Sequence, residues 1–386
     1  MNPLPQHARD PQLTPDPRLA RLRGTVPPRR HNARTIAALT TNPGCARRAV
    51  LDTAGVDKDA LARQVGFPAP FGQSQFAITR GNAFEAQVKA DGCAELLRLL
   101  RETLGLDLAE VAYADLNDVG GVDSQEVRHT YAAQRLTRPD EPGTLFDHPL
   151  LRLPVAGQHV YLEPDLVAFQ HDGLFHVVEI KSFPVIDGQA DPGKVAAAAI
   201  QSAVYVLALR SLLERDGAHG AAVSPDVVLV CPENFSNRPV ATKVDVRKQL
   251  IILEHQLRRL TRVEALLDLL PPGLTLDLAP DSSGQPTRPG AELTAALGTM
   301  DARYAPGCLS SCELGFFCRD EATGRTDALG TGVREQLAGV ETVAEALAIA
   351  DGTWEVPDDQ AEAAALLRTS ARVYEEALGA RPALAP

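Results

Sequence analysis

Two apolar runs joined by a short polar turn place the strongest constraint on how this chain folds. The runs cover residues 160–169 and 174–183, and the segment between them contains Asp172-Gly173. That dipeptide is typical of two-residue hairpin turns, because both of its residues tolerate a left-handed backbone. The pattern predicts an antiparallel pair of strands.

Acidic residues lie where these two strands would meet. Thirteen residues separate Asp165 from Glu179, which is enough for a hairpin to bring both carboxylates together. Side chains alternate along a strand, so Glu179 and Lys181 share one face while Ile180 points into the core. Like charges at close range are costly unless a cation neutralises them, and oxygen ligands suit Mg2+ or Mn2+. The group predicts a divalent metal site, with Lys181 beside it to align or deprotonate a water and offset negative charge.

Predicted helices on both sides of the hairpin add further polar groups. Apolar spacing predicts a helix over Gly81–Leu104, with Glu85 near its start. A Glu at this place has two readings, a metal-directed carboxylate or a residue that only favours the helix dipole. After Pro192-Gly193, an Ala-rich helix is apolar on most of its surface, and Gln201 and Tyr205 lie four residues apart on one face of it.

Two later segments complete the predicted core. Asp226–Val230 is a short, continuously apolar run that predicts a central strand, and Lys243–Leu270 has the pattern of a long amphipathic helix. The order of elements predicts an α/β fold, a mixed central sheet flanked by helices. His171 and His176 flank the predicted turn and are expected to be exposed.

Cysteine spacing points to a second metal centre. Cys308, Cys312 and Cys318 fall within eleven residues, in a loop that contains Gly and Ser. Free cysteine is usually a small buried hydrophobe, and such a loop fits that role poorly, so we predict metal ligation. Paired two-residue gaps typical of zinc sites are missing, which favours iron–sulfur over zinc. Cys93 and Cys231 are expected to be packing residues.

Charge is distributed unevenly along the chain. The net charge of -12 disfavours a nucleic-acid partner, but residues 1–48 carry nine Arg, no Lys and two Asp, a net of +7. Residues 1–32 read as a flexible basic arm, which either binds DNA or is a disordered tail. From Arg319 onward six Arg face thirteen acidic residues, which predicts an acidic helical tail over 321–386. No stretch reaches the about 18–20 uncharged apolar residues of a membrane span, so no membrane contact and a cytoplasmic location are expected.

An ordered set of these residues resembles the PD-(D/E)XK nuclease superfamily in its RecB-like branch. The set is Glu85, Pro164-Asp165, Glu179-x-Lys181 and Gln201-x-x-x-Tyr205. One cysteine before this core, Cys45, and three after it resemble the iron–sulfur subgroup that includes the AddB nuclease and the CRISPR-associated RecB-like exonucleases. The resemblance spans about residues 45–318, within a predicted nuclease domain over 33–320.

The resemblance implies a restriction-endonuclease-like core and a role for each of these residues. It makes Asp165, Glu179, the Ile180 carbonyl and Glu85 metal ligands, Lys181 the catalytic lysine, and Gln201 and Tyr205 the pair that faces the substrate. Four thiolates would hold a [4Fe-4S] cluster, and Phe316-Phe317 would cover it from solvent; the ligands would be Cys45, Cys308, Cys312 and Cys318.

The function implied is metal-dependent hydrolysis of DNA, as an exonuclease on single-stranded ends, in DNA repair, CRISPR adaptation or phage defence. No helicase P-loop is present in the sequence, so unwinding would come from a helicase or a CRISPR or defence partner. Two alternatives stay open. One is a catalytically inactive DNA-binding or assembly module that keeps the fold and a structural metal cluster, and the other is a zinc-stapled enzyme of unrelated chemistry.

Overall fold

The chain is described by a computed structural model over residues 16–69, 75–105, 111–117, 124–137, 143–155, 158–171, 174–215, 222–234, 236–260, 263–337 and 339–379. The predicted Asp172-Gly173 turn lies outside these residues. The described residues form two compact units. The first draws on 1–43, 49–56 and 72–277, and the second on 44–48, 57–71 and 278–386.

The described elements alternate between helices and strands as the sequence predicts for a mixed α/β protein. The helices are α1 Pro17–Arg23, α2 Ala33–Ala38, α3 Ala46–Ala54, α4 Lys58–Gln64, α5 Gln75–Val88, α6 Ala90–Leu104, α7 Gln125–Thr137, α8 Pro192–Arg215, α9 Arg247–Leu260, α10 Val263–Leu267, α11 Gly290–Gly298, α12 Cys308–Ser311, α13 Gly315–Glu321, α14 Thr331–Gln336, α15 Val343–Ala350 and α16 Ala361–Gly379, with 3-10 turns at Thr326–Leu329 and Asp358–Gln360. The strands are β1 Ala112–Asp115, β2 Thr144–Asp147, β3 Leu151–Val155, β4 Gln158–Leu162, β5 Leu166–His171, β6 Leu174–Ile180, β7 Val185–Ile186, β8 Gln189–Ala190, β9 Ala222–Val223, β10 Asp226–Pro232 and β11 Pro239–Asp245.

A seven-stranded mixed sheet forms the centre of the first unit. Its strand order is β1-β2-β5-β6-β10-β11, and β9 also pairs with β6. Strands β5 and β6 are antiparallel, with Leu166 opposite Val178, so the predicted hairpin pairing is confirmed. Strand β10 lies parallel to β6 and antiparallel to β11, as expected for the central strand that the sequence predicts.

The first apolar run is two strands rather than one. Strand β4 pairs with β3 in a separate two-stranded sheet, whereas β5 belongs to the central sheet. The chain changes partner over residues 163–165, where Pro164 has no backbone N–H to donate to a ladder. Asp165 therefore lies directly before β5, where the chain passes from the two-stranded sheet to the central sheet, and not inside a continuous strand.

Helices cover both faces of strand β6. Phe175 and Val177 belong to the apolar cluster that includes the inner face of α8, whereas Val178 and Ile180 pack in a separate cluster with residues of α5 and α6. Because side chains alternate, Glu179 lies on the face that α8 covers. The predicted burial of α8 is confirmed; it is long and apolar enough to span a bilayer, but 56% of its most apolar window is buried, as in the core helix of a water-soluble protein.

Two predicted helices have different bounds in the structure. The helix predicted over Gly81–Leu104 begins earlier and is divided into α5 and α6 at Lys89, and α6 is kinked near its start, where Asp91, Gly92 and Cys93 adopt left-handed backbone angles. The helix predicted from Lys243 begins only at Arg247, since Pro239–Asp245 forms the edge strand β11. Its pairing with β10 uses the backbone groups that a helix would have used.

Three smaller predictions can be compared with the structure. Part of the segment over residues 1–32, predicted as a flexible arm, forms helix α1, which is held by burial of Leu19 and Leu22. His176 is buried, not exposed, and its Nδ1 lies 3.3 Å from the Asp226 carbonyl oxygen. Cys93 and Cys231 are buried among apolar side chains, as predicted for packing residues.

Candidate active site

The register of β5 and β6 brings the two predicted carboxylates together. Leu166 lies opposite Val178, which places Asp165 opposite Glu179 one step further along. Oδ2 of Asp165 accepts a hydrogen bond of 2.8 Å from the backbone N–H of Ile180. This bond ties the residue at the start of β5 to the end of β6, so Asp165 is held in position by the sheet itself.

Glu179 is the most deeply buried acid in the first unit. Its exposed fraction is 0%, and Lys181 Nζ forms an ion pair with its Oε1. Oε2 has no hydrogen-bond donor among the described residues. Burial, and then the charge of Asp165, raise the pKa of Glu179 to about 8. A carboxylate in such a place is poorly compensated by protein groups alone.

Lys181 and Asp165 complete the central group. Lys181 Nζ is 3.9 Å from Asp165 Oδ2 in addition to its contact with Glu179. Burial opposes the charge of the ammonium, but the two carboxylates together raise the pKa of Lys181. Burial likewise raises the pKa of Asp165, although the Lys181 charge works in the other direction. Two acids thus share one ammonium group, at a place where Glu179 is fully buried while the side chains of Asp165 and Lys181 remain partly exposed.

Gln201 and Tyr205 on α8 reach the same place. Gln201 Nε2 donates a 3.0 Å hydrogen bond to the Tyr205 hydroxyl, as their four-residue spacing allows. Burial, and then the charge of Glu179, raise the pKa of Tyr205 well above its ordinary range. The pair is therefore within electrostatic reach of Glu179, on the face of the sheet that the alternation predicts.

Glu85 also belongs to this neighbourhood, though it lies in the later turns of α5 and not near a helix start as predicted. Its charge contributes to the raised pKa of both Asp165 and Glu179. Its own carboxylate is half-buried, and its Oε1 lies 2.5 Å from Lys89 Nζ. Burial opposes the charge of this carboxylate, but hydrogen bonds from His148 and Lys89 lower the pKa of Glu85 below its usual value.

Four further residues of the site were not identified from the sequence: Lys89, Tyr113, Asp147 and His148. Lys89 Nζ also binds Asp147 Oδ1 at 2.7 Å and the Asp165 carbonyl oxygen at 3.2 Å. His148 Nδ1 lies 2.9 Å from Asp147 Oδ1, and the Tyr113 hydroxyl donates to Asp147 Oδ2. The spacing of Glu85 and Lys89 is a readable signal for an i, i+4 pair, whereas the contacts to Asp147 span 58 residues of sequence.

The donor set of this site fits a divalent cation. Asp165 and Glu179 supply hard oxygen ligands, the Ile180 carbonyl directly follows Glu179 in sequence, and the Oε2 of Glu179 is buried without a donor among the described residues. In the described part of the chain, no group of three or more His, Cys, Asp or Glu side chains forms a ready metal site. A cation here is consequently an inference from charge and burial.

The four predicted cysteine ligands lie together in the second unit. Cys308 and Cys312 are buried, Cys45 and Cys318 are half-buried, and none of the four is in a disulfide. The charges of Cys312 and Cys45 both act on Cys318. Burial is the largest cause that raises the pKa of Cys318 to about 12, with the nearby Arg47 in opposition. A β-carbon on Gly315 would lie 2.6 Å from the Cys308 carbonyl oxygen, so α12 and α13 approach closely only with glycine there.

Arg47 and Arg48 follow Cys45 by two and three residues and connect it to the segment of the other cysteines. The backbone N–H of Arg48 points at Cys45 Sγ at 3.5 Å, and its Nη2 donates to the Ser311 carbonyl oxygen at 2.8 Å. Arg47 is 3% exposed, pairs with Glu321, and donates to Cys318 Sγ at 3.3 Å.

Phe317 packs next to these arginines. Arg47 lies 5.5 Å from the centre of its ring, and Phe67 contacts it edge-on at 5.6 Å. Beside Cys318 is a cavity of about 450 Å3 that Arg47 and Glu321 also line. These thiols and the N–H donors directed at their sulfur atoms are the groups that a cysteine-bound cluster would use, although no group of three or more His, Cys, Asp or Glu side chains in the described part of the chain forms a ready metal site.

Comparison with protein-family models, curated proteins and solved structures finds no match to this chain. We therefore infer the function from the geometry of the two groups described above, the residues around Glu179 and the four cysteines.

Proposed function

We propose that this protein is a Mg2+- or Mn2+-dependent nuclease that hydrolyses DNA phosphodiester bonds, on a restriction-endonuclease-like core of the RecB-like type. One observation carries the proposal. Two carboxylates, the fully buried Glu179 and the half-buried Asp165, face each other across paired strands with the Lys181 ammonium in contact with the first and 3.9 Å from the second. With both acids charged, one ammonium offsets their repulsion only in part, and a divalent cation would supply the further positive charge.

Each residue of the site has a proposed role in the reaction. The cation would be held by Asp165, Glu179 and the Ile180 carbonyl, with Glu85 as a further carboxylate on α5. A cation bound there would polarise the scissile phosphate and make a water molecule more nucleophilic. Lys181 aligns that water and offsets the charge that develops on the phosphoryl oxygens.

The substrate is oriented from α8. Gln201 and Tyr205 form a hydrogen-bonded pair on α8. Tyr205 is 4% exposed, so a DNA strand would meet the half-buried Gln201, which Tyr205 holds in place. We infer single-stranded DNA with a free end as the substrate and an exonuclease mode. The net charge of -12 leaves phosphate binding to the cation and to local basic groups such as Lys181.

The second unit is proposed to hold a [4Fe-4S] cluster on Cys45, Cys308, Cys312 and Cys318, with Zn2+ as the alternative. None of the six cysteines is in a disulfide, which agrees with a reducing compartment, and we propose the cytoplasm. A helicase or a CRISPR or defence protein is the expected partner, in DNA repair, CRISPR adaptation or phage defence.

A catalytically inactive DNA-binding or assembly module is the second candidate. The observation in its favour is that the described residues contain no ready three-ligand metal group. The complete set of Asp165, Glu179, Lys181 and Gln201-Tyr205 opposes it, because a site freed from catalysis has no reason to keep two buried acids at a stability cost.

Cleavage of labelled single-stranded DNA tests the proposed function. The metal-free protein is expected to cut only after Mn2+ or Mg2+ is added, and EDTA is expected to stop the reaction. Asp165→Asn should reduce the rate by at least about a hundredfold. Asp187→Asn is the matched control, because Asp187 is exposed and has a left-handed backbone that Asn also adopts. Retained cleavage in Asp165→Asn, or no metal-dependent cleavage in any variant, contradicts the proposal.

Iron and acid-labile sulfide analysis after anaerobic purification tests the cluster. We expect about four iron and four sulfide per chain with broad absorbance near 400 nm. Cys312→Ser should lose most of the iron, whereas Cys231→Ser, in a buried packing position of the first unit, should keep it. Stoichiometric zinc without sulfide would replace the cluster by the zinc alternative.

A further inference from the structure

His148 has a backbone conformation that its surroundings must hold in place. It directly follows β2, and its φ is +47°, in the left-handed region that non-glycine residues rarely adopt. Such conformations are energetically unfavourable and persist where other contacts fix them. The contacts of its side chain are therefore the place to look for its role.

Both ring nitrogens of His148 face carboxylates. Nδ1 lies 2.9 Å from Asp147 Oδ1, and Nε2 lies 3.2 Å from Glu85 Oε1. Asp147 is 5% exposed and ends a strand of the central sheet, so it is a rigid support. His148 thereby connects the end of β2 to the Glu85 carboxylate on α5.

Lys89 makes the second connection to the same oxygen. Its Nζ lies 2.5 Å from Glu85 Oε1, 2.7 Å from Asp147 Oδ1 and 3.2 Å from the Asp165 carbonyl oxygen. Two cationic donors, Lys89 and His148, thus converge on Oε1 of Glu85. Both contacts use Oε1, so neither of these donors occupies Oε2 of Glu85.

We propose that His148 and Lys89 are positioning residues that hold Glu85 as the third carboxylate of the cation site. This inference rests on the proposed nuclease function. A glutamate side chain has several rotamers, and fixing one of them costs conformational entropy. The two donors meet that cost in the folded protein, before a cation arrives, and they also reduce the repulsion between Glu85 and the pair Asp165 and Glu179.

Mn2+ binding, measured by titration calorimetry on the full chain after removal of metals, tests the proposal. His148→Asn is the informative variant, because Asn tolerates the left-handed backbone but is too short to reach Glu85. We expect its Kd for Mn2+ to rise about tenfold, with a parallel rise in the Mn2+ concentration for half-maximal DNA cleavage and a rate at saturating Mn2+ within about threefold of the parent. His148→Gln, whose longer amide can still donate to Glu85, should recover most of the affinity.

His255→Ala is the control variant, because it removes an exposed histidine on α9, and it should leave the Kd for Mn2+ unchanged. Unchanged Mn2+ affinity in His148→Asn overturns the positioning role while the nuclease proposal stands. Equal losses in His148→Asn and His148→Gln, with lowered melting temperatures, make the ring a structural support and also overturn it. A parent protein that binds no Mn2+ removes the proposed function itself.

Discussion

Lys181→Ala is expected to lower the single-turnover rate of DNA cleavage in Mn2+ by at least about a thousandfold. Lys181 Nζ contacts Glu179 and lies 3.9 Å from Asp165 Oδ2, so the ammonium stands where the reacting phosphate and water would meet the cation. Removing it takes away the group that aligns the water and the positive charge that offsets the transition state. The measurement is a quench experiment with enzyme in excess over end-labelled single-stranded DNA.

Lys194→Ala is the matched control for this loss. Lys194 is exposed in the first turn of α8, the helix that carries Gln201 and Tyr205, so the same change is made without touching the carboxylates. We expect its rate to stay within about threefold of the parent, and circular dichroism to show that both variants are folded. A Lys181→Ala protein that cuts within tenfold of the parent rate would remove the lysine from the mechanism.

Glu179→Gln is expected to abolish cleavage and at the same time to stabilise the metal-free protein at alkaline pH. The pKa of Glu179 is about 8 in the folded chain and about 4.5 as its ordinary value, so the fold favours the neutral acid. A raised carboxyl pKa gives stability that is complete below about pH 4.5 and is lost as the pH rises toward 8. Glutamine resembles the neutral acid at every pH and avoids this loss.

Thermal unfolding in EDTA between pH 5 and pH 8 measures the effect. Glu179→Gln should melt close to the parent at pH 5 and at least about 5 °C above it at pH 8, where the difference in unfolding free energy is on the order of 4 kcal/mol. Glu126→Gln changes an exposed glutamate on α7 and should show no such pH-dependent gain. Equal melting temperatures of Glu179→Gln and the parent at pH 8 would mean that the buried carboxylate is compensated in some other way.

The sequence brings Asp165 and Glu179 to the same end of a predicted hairpin, but it does not give their register. An unbroken ladder continued from His171 opposite Leu174 would place Asp165 opposite Ile180, and the register shift between Ala168 and His171 moves it opposite Glu179. The helical repeat, in contrast, predicts directly that Gln201 and Tyr205 share a face, and the structure agrees.

The network around Glu85 could not be found in this way. Asp147 and His148 reach Glu85 and Lys89 across 58 or more residues, through a sheet order in which β2 lies beside β5. The spacing of residues in the sequence does not predict this strand order. The contacts of Glu85 with Asp147 and His148 could therefore be predicted only once the strand order is known.

The wrong element bounds have physical causes of the same kind. Pro239–Asp245 has the β-branched residues Val240, Thr242 and Val244 at every second position, but Lys243 onward also matches a helical repeat, and pairing with β10 decides for the strand. The kink at the start of α6 depends on three successive left-handed residues, of which only Gly92 is a usual signal.

Anomalous diffraction from crystals soaked in Mn2+ tests the central claim most directly. The account predicts one strong peak at about 2–2.5 Å from carboxylate oxygens of both Asp165 and Glu179 and near the Ile180 carbonyl oxygen, and its loss in crystals of Asp165→Asn. A soaked parent crystal without a peak between these two carboxylates, or with the same peak in Asp165→Asn, would contradict it.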